Sequence, residues 1–316
     1  MTASEVGQET WTIKGILDWC QGYLERCGDE SPRVSSEWLL SEALDISRVD
    51  LYMNYARPLS KEERSVMREW VRRRGAGEPL QLISGHAPFR YLNIKVAKGV
   101  LIPRPETEVL VSEAFSELSL PSVVAHVIDN EQGAEETVEA QLDALEVLDL
   151  CTGSGCIACA IASEYPVARV LATDISPDAL ALANENVREL GLSDSVTVLQ
   201  SDLLSAFKDE SSGRFDLVIS NPPYVPTGVC ESLPAEVKDF DPSLALDGGV
   251  DGLDLVRSFA PDVYDVLKPG GVVALELFEG HMDTAARIFN GLGFVKVRVA
   301  CDLTGKPRVL VARKPA

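Results

Sequence analysis

A chain of 316 residues, 46% hydrophobic and 25% charged, has the make-up of a soluble globular protein large enough for two domains. No apolar run reaches the roughly 18 residues a membrane helix needs. The opening MTASEVGQETW lacks both the basic start and the apolar stretch of a secretory signal, so a cytoplasmic location with no membrane partner is expected. A formal net charge of −20 repels a phosphate backbone, which argues against a direct nucleic-acid partner.

The first segment, 1–78, is expected to be a small helical domain. Trp11, Ile13, Ile16, Leu17, Cys20, Tyr23 and Leu24 recur at helical spacing, and a second apolar stretch runs through Trp38, Leu39, Leu40, Ala43 and Leu44. A third helix from Ser60 carries Lys61, Arg64, Arg68 and Arg72 on one face, expected to be solvated. Gly75, Gly77 and Pro79 break that pattern. Residues 79–103 are then expected to form a β-hairpin linker, with strands in 86–102 and turns at Asn93 and at Lys98 with Gly99.

From residue 104 to 316 helix and strand alternate, which implies an α/β domain with a mostly parallel sheet covered by helices on both faces. A helix is expected to start near Pro105 and end near Leu118. Strands are expected at 145–150, 168–174, 195–199, 215–220, 271–276, 294–299 and 308–313, with helices near 156–164, 177–190, 251–267 and 281–291. Ser176 followed by Pro177 supplies a hydroxyl N-cap and a proline at the first helical position. Residues 119–146 hold seven acids and no Lys or Arg, and are expected to be a surface insertion. The seven cysteines show no disulfide framework, and Cys156 and Cys159 are expected to be buried small side chains with no metal site.

The first strand of this domain, EVLDL, runs into CTGSG and then a helix. A glycine-rich turn there lets backbone approach a ligand closely. Asp174 ends the next strand, 19 residues after Gly155, where an acid can accept hydrogen bonds from both ribose hydroxyls. Asp202 follows the third strand and can hold an adenine amine. These residues point to an adenosine-containing cofactor, either NAD or S-adenosylmethionine. The fourth strand, FDLVIS, ends in Asn221, Pro222, Pro223 and Tyr224, at the carboxyl edge where open α/β sheets bind ligands. Two prolines remove backbone donors. The Asn221 oxygen and the Pro222 carbonyl can then accept both hydrogens of one NH₂ group, with Tyr224 presenting a flat face. This suits methylation of a planar nitrogen, by positioning and without an acid–base dyad.

At this point the residues resemble a known family. LIPRPETEVLV at 101–111, DLCTGSGCIA at 149–158, TDISPDALALANEN at 173–186, SNPPYVP at 220–226 and ALDGGVDGLDLVR at 245–257 are similar to blocks of the release factor glutamine methyltransferases, the PrmC/HemK type. EPLQLISGHAPFR at 78–90 is similar to that family's interdomain linker. The resemblance covers nearly the whole chain. It implies a Rossmann-like class I methyltransferase domain with a seven-stranded sheet, S-adenosylmethionine as methyl donor, and class I peptide chain release factors as protein partners. The modified group would be the glutamine side-chain amide of their Gly-Gly-Gln motif. It implies cofactor contacts from Cys151, Thr152, Gly153, Ser154, Gly155, Asp174, Asp202, Leu203 and Asn221, with Asn221, Pro222, Pro223 and Tyr224 holding the glutamine; Asn221, Pro222 and Tyr224 would be catalytic. Four features depart from the family's usual pattern. Cys151 stands where glycine is usual, Leu203 replaces an aromatic, ELFEGHM at 276–282 replaces a Glu-Ile-Gly ending, and the 119–146 insertion is long. The competing expectation is an N-methyltransferase acting on exocyclic amines of adenine or guanine; a non-catalytic cofactor-binding module and a dehydrogenase fit fewer of these residues.

Overall fold

The computed structural model describes residues 11–118, 144–207, 209 and 211–316. Two compact units divide the chain: one runs to His86 and includes Ala235–Phe240, the other comprises Ala87–Pro234 and Asp241–Ala316.

The smaller unit is built from α1 (Ile13–Arg26), α2 (Pro32–Leu44), α3 (Arg48–Met53), α4 (Lys61–Gly75) and α5 (Leu80–Ser84). Their starts follow from local chemistry. The Thr12 hydroxyl accepts the Gly15 N–H at 3.2 Å, and Pro32 opens α2. Ser47 with Asp50, and Ser60 with Glu63, form reciprocal capping boxes. One core buries Ile13, Leu24, Leu39, Leu51, Met67 and Val71. Lys61, Arg68 and Arg72 stay exposed on α4, and Arg72 is paired with Glu69 on the same helix at 2.9 Å.

After α5, β1 (His86–Phe89), whose first residue ends the smaller unit's run, and β2 (Leu92–Lys95) form a hairpin shorter than the sequence suggests. Its turn falls at Arg90, φ 52°, and Asn93 lies inside β2. Arg90 holds this left-handed conformation through a guanidinium anchored on Glu164, on the Glu108 carbonyl at 3.0 Å and on the Ser112 hydroxyl at 2.7 Å. Residues 96–104 carry no regular strand.

The chain then runs α6 (Pro105–Leu118), β3 (Leu145–Leu150), α7 (Cys156–Glu164), β4 (Ala168–Asp174), α8 (Pro177–Glu189), β5 (Val196–Gln200) and β6 (Phe215–Ser220). The expected insertion at 119–146 lies outside the described residues up to 143. Its last two positions belong to β3, where Leu145 is buried and pairs with Ala168. Three helices of four residues each follow β6: α9 (Thr227–Cys230), α10 (Ala235–Lys238) and α11 (Ser243–Leu246). Then come α12 (Asp254–Val266), β7 (Leu267–Glu276), a 3₁₀ turn (Glu279–His281), α13 (Met282–Gly291), β8 (Val295–Cys301) and β9 (Pro307–Arg313). Helix α12 starts at Asp254 and not near 251, because the Asp251 carboxylate accepts the Leu253 N–H at 3.2 Å and makes a turn there.

The seven strands lie in the order β5-β4-β3-β6-β7-β9-β8. The first five are parallel, and β9 runs antiparallel to both β7 and β8. One face buries Leu110 and Val111 of α6 with Ile157 and Ile161 of α7; the other buries Val256, Phe259 and Val263 of α12 with Phe289 of α13. This is the Rossmann-like, mostly parallel sheet of the sequence reading. Among the described residues no helix is long and apolar enough to cross a membrane.

Candidate active site

Strand order reverses at β3, with β4 on one side and β6 on the other, so a crevice opens at the carboxyl end of β3. The loop leaving β3 is tightly held. Cys151, Gly153 and Gly155 all have positive φ, 57°, 56° and 78°. A Cβ on Gly155 would stand 3.1 Å from that of Ala183, so glycine here lets α7 and α8 pack closely. The Thr152 N–H donates to the Thr173 carbonyl at 2.9 Å. Asp174 accepts the Gly153 N–H on one oxygen and the Ser176 N–H on the other, each at 2.9 Å, and retains lone pairs for a ligand. Asn186, buried on α8, joins this loop to the hairpin: its Nδ2 donates to the carbonyls of Ser154 at 2.9 Å and Lys95 at 3.0 Å, and its Oδ1 accepts the Lys95 N–H at 2.8 Å.

Beyond the loop lies a cavity of about 190 Å³. Cys151, Thr152, Gly153, Ser154, Asp174, Asp202, Leu203, Asn221 and Pro223 all line it. Gly155 caps α7 behind it, while Pro222 and Tyr224 are not part of its wall. The far wall was not read from the sequence as a site. It consists of residues 99–104 and, from the β6–α12 connection, Pro242, Leu244 and Ala245. Arg104 of this wall pairs with buried Asp241 at 2.5 Å. Leu203, φ 50°, offers an aliphatic surface to the cavity. Burial, reinforced by the charges of Asp174 and Asp149, pushes the Cys151 thiol up to about 12, so it is a neutral wall group. Cys156 and Cys159 are buried in α7, and among the described residues no group of three His, Cys, Asp or Glu is placed for a metal.

Parallel pairing of β6 with β7 sets Ser220 opposite Leu275, so Asn221, the first residue past β6, stands beside Glu276, the last residue of β7. The Asn221 Nδ2 donates to the Thr107 hydroxyl at 3.1 Å; Thr107 donates to the Glu276 Oε2 at 2.7 Å; the Tyr224 hydroxyl donates to the Glu276 Oε1 at 3.3 Å. Thr107 and Glu276 are 2% and 1% exposed, and neither was singled out from the sequence as a site residue. Burial pushes the Glu276 carboxyl up to about 7, against the pull of its two hydroxyl donors. A glycine loop braces the other side of this turn. The Val225 N–H donates to the Leu246 carbonyl and the Gly248 N–H to the Val225 carbonyl, both at 2.8 Å. A Cβ on Gly248 would fall 2.7 Å from the Pro223 oxygen and the Tyr224 Cα, and one on Gly252 would overlap the Tyr224 carbonyl. Glycines are required where backbone packs on backbone in this way.

Comparisons with known proteins identify the family. Residues 15–85 match the PrmC N-terminal domain family, and residues 132–232 match the methyltransferase small domain family. The chain is 41% identical over 305 residues to a release factor glutamine methyltransferase of Geobacter sulfurreducens, covering 96% of this chain and 98% of the relative. It is 40% identical over 306 residues to one of Koribacter versatilis, with 96% and 99% covered. It is 36% identical over 315 residues to one of Rhodopirellula baltica, with 98% and 99% covered. Identity at this level along the full length of both partners, over a sheet of this order and an Asn-Pro-Pro-Tyr turn at its carboxyl edge, means that the chain belongs to the release factor glutamine methyltransferase family.

Proposed function

We propose that this chain transfers a methyl group from S-adenosylmethionine to the side-chain amide nitrogen of the glutamine in the Gly-Gly-Gln motif of class I peptide chain release factors. The observation that carries the reading is the Asn221–Tyr224 turn beside a cavity walled by the glycine loop and two carboxylates. The donor's adenosine part fits that cavity. Asp174 has acceptor capacity left for the ribose hydroxyls, Asp202 can accept from the adenine amine, and Leu203 and Ile175 supply apolar surface. When bound, the sulfonium supplies an electrophilic methyl group.

The chain's own part is to position the acceptor. An amide nitrogen is a poor nucleophile because its lone pair is delocalised into the carbonyl. Asn221 Oδ1 and the Pro222 carbonyl accept its two N–H bonds, and Tyr224 covers its flat face, so the lone pair turns toward the methyl group. The extra N–H proton leaves to solvent after transfer, which needs no strong base. In this reading the protein works in the cytoplasm, where translation ends. In this reading residues 1–78 recognise the substrate, 79–103 link, and 104–316 carry the chemistry.

The test is mass spectrometry of a release factor after incubation with enzyme and S-adenosylmethionine. One added methyl group on the glutamine of the Gly-Gly-Gln tryptic peptide is expected. An unmodified release factor, with methyl label appearing on an exocyclic amine of RNA or DNA, would overturn the reading.

A further inference from the structure

Asparagine has an amide whose two ends are opposite in hydrogen-bonding sense but nearly equal in shape, so packing alone does not choose between its two flips. The proposed chemistry needs the oxygen toward the substrate, and something must enforce that. We infer that Glu276 is the positioning residue that does so: through the Thr107 hydroxyl it fixes the Asn221 amide with its nitrogen turned away from the substrate, and it holds the Tyr224 ring by its phenol oxygen. This rests on the glutamine-methylation reading of the site.

The argument is one of hydrogen-bond polarity. An ionised carboxylate only accepts. Glu276 therefore takes the single hydroxyl proton of Thr107, at 2.7 Å. Toward Asn221 the Thr107 oxygen then has only a lone pair to offer, and it receives Nδ2 at 3.1 Å. The amide oxygen is the end left to accept from the substrate. A group at 276 that could donate would reverse this sequence. Thr107 would turn its proton to Asn221, the amide would flip, and its NH₂ would meet the substrate's NH₂, donor against donor. The surroundings of Glu276 set when this happens. Thr107 and Glu106 face it from α6, Tyr224 from the turn after β6, and Arg308 from β9. Burial and Glu106 raise its carboxyl; the two hydroxyls and Arg308 oppose them, with a balance at about 7. The folded value lies above that of a free carboxyl, so the accepting form is present above about 7 and is lost as pH falls through it.

The experiment compares Glu276→Gln, Thr107→Val and Thr107→Ser in the full chain, with release factor as substrate. Glutamine keeps the shape of Glu276 but can donate; valine keeps the shape of Thr107 but cannot relay. Both are expected to lower kcat by about 10- to 100-fold, the usual cost of removing a group that orients a reacting-site ligand. KM for the release factor and the affinity for S-adenosylhomocysteine should change less than about threefold, as for an interaction made at the transition state. Thr107→Ser, which keeps the hydroxyl, should regain most of the activity. The acid limb of kcat in the native chain should be absent from Glu276→Gln. A second readout needs no turnover: the side-chain NH₂ resonance of Asn221 in ¹⁵N-labelled protein, identified by its loss in Asn221→Ala, should shift in Glu276→Gln and should titrate with pH only in the native chain. An unchanged resonance, an unchanged pH profile, or equal losses in the valine and serine variants would overturn the inference. Should Glu276→Gln fail to fold, the Thr107 pair decides. Should the native chain leave a release factor unmethylated, the glutamine reading fails, and the resonance still decides whether Glu276 orients Asn221.

Discussion

Asn221 meets two demands with one side chain: its nitrogen is tied to Thr107, and in the proposed reaction its oxygen accepts from the substrate. Asn221→Ala removes both. The rate should fall by roughly 10²–10³, about 3–4 kcal/mol, as when one preorganised polar contact to a transition state is lost. Affinity for S-adenosylhomocysteine, measured by calorimetry, should fall far less, because Asp174 and the glycine loop remain. A normal methylation rate in the variant would reduce the turn to a structural one. Cys151 makes a different point. It holds φ 57°, a left-handed conformation that favours glycine. Cys151→Gly should stabilise the fold in urea titration by about 1 kcal/mol, the cost of a non-glycine left-handed residue less glycine's extra freedom when unfolded. A loss of stability would mean that the thiol's packing outweighs the strain. Asn221 and Asp174 were legible in the sequence because each stands in a contiguous motif at the end of a strand. Thr107 and Glu276 were not, because they are 169 positions apart and only the register of β7 and the placement of α6 bring them together.

At the scale of elements, the Asn221–Tyr224 turn is held between a parallel strand pair and the glycine loop at 247–252. Gly252 has φ 76°, and a methyl group there would overlap the Tyr224 carbonyl. Gly252→Ala should therefore displace the turn, lowering kcat by about 10-fold or more, the sensitivity expected of a site whose geometry is held by its supporting backbone. The large core on α12 and α13 should keep the thermal midpoint within a few degrees by comparison. A variant equally impaired in folding and turnover would show the loop to be structural only. Alternation of periods revealed every strand of the sheet and the long helices. It did not reveal α9, α10 or α11, since a four-residue helix is a single turn with no repeat to detect. It also put a hairpin turn at Asn93, a good turn residue by type, where Arg90 turns the chain because tertiary hydrogen bonds hold it there.

For the whole molecule, alternation implied a parallel sheet but not its reversed edge, where β9 slips between β7 and β8; that order depends on which strand finds which edge, and no local pattern encodes it. The two units each have their own core, and the smaller is not continuous in sequence, since residues 235–240 join it from the connection after β6. Asn186 has a consequence of another kind. Its one amide grips the Ser154 carbonyl in the glycine loop after β3 and both backbone groups of Lys95 on the hairpin, so the two segments are tied through a single side chain. The Lys95 N–H, which lines no part of the cavity, thereby becomes a reporter of what fills it. Amide exchange by mass spectrometry should slow at Lys95 when S-adenosylhomocysteine is added, and the effect should vanish in Asn186→Ala even where the ligand still binds. Exchange at Lys95 indifferent to ligand would mean the staple carries no such signal. A slowed amide would make a single backbone proton on the hairpin a gauge of cofactor loading that needs neither a labelled donor nor a methyl acceptor.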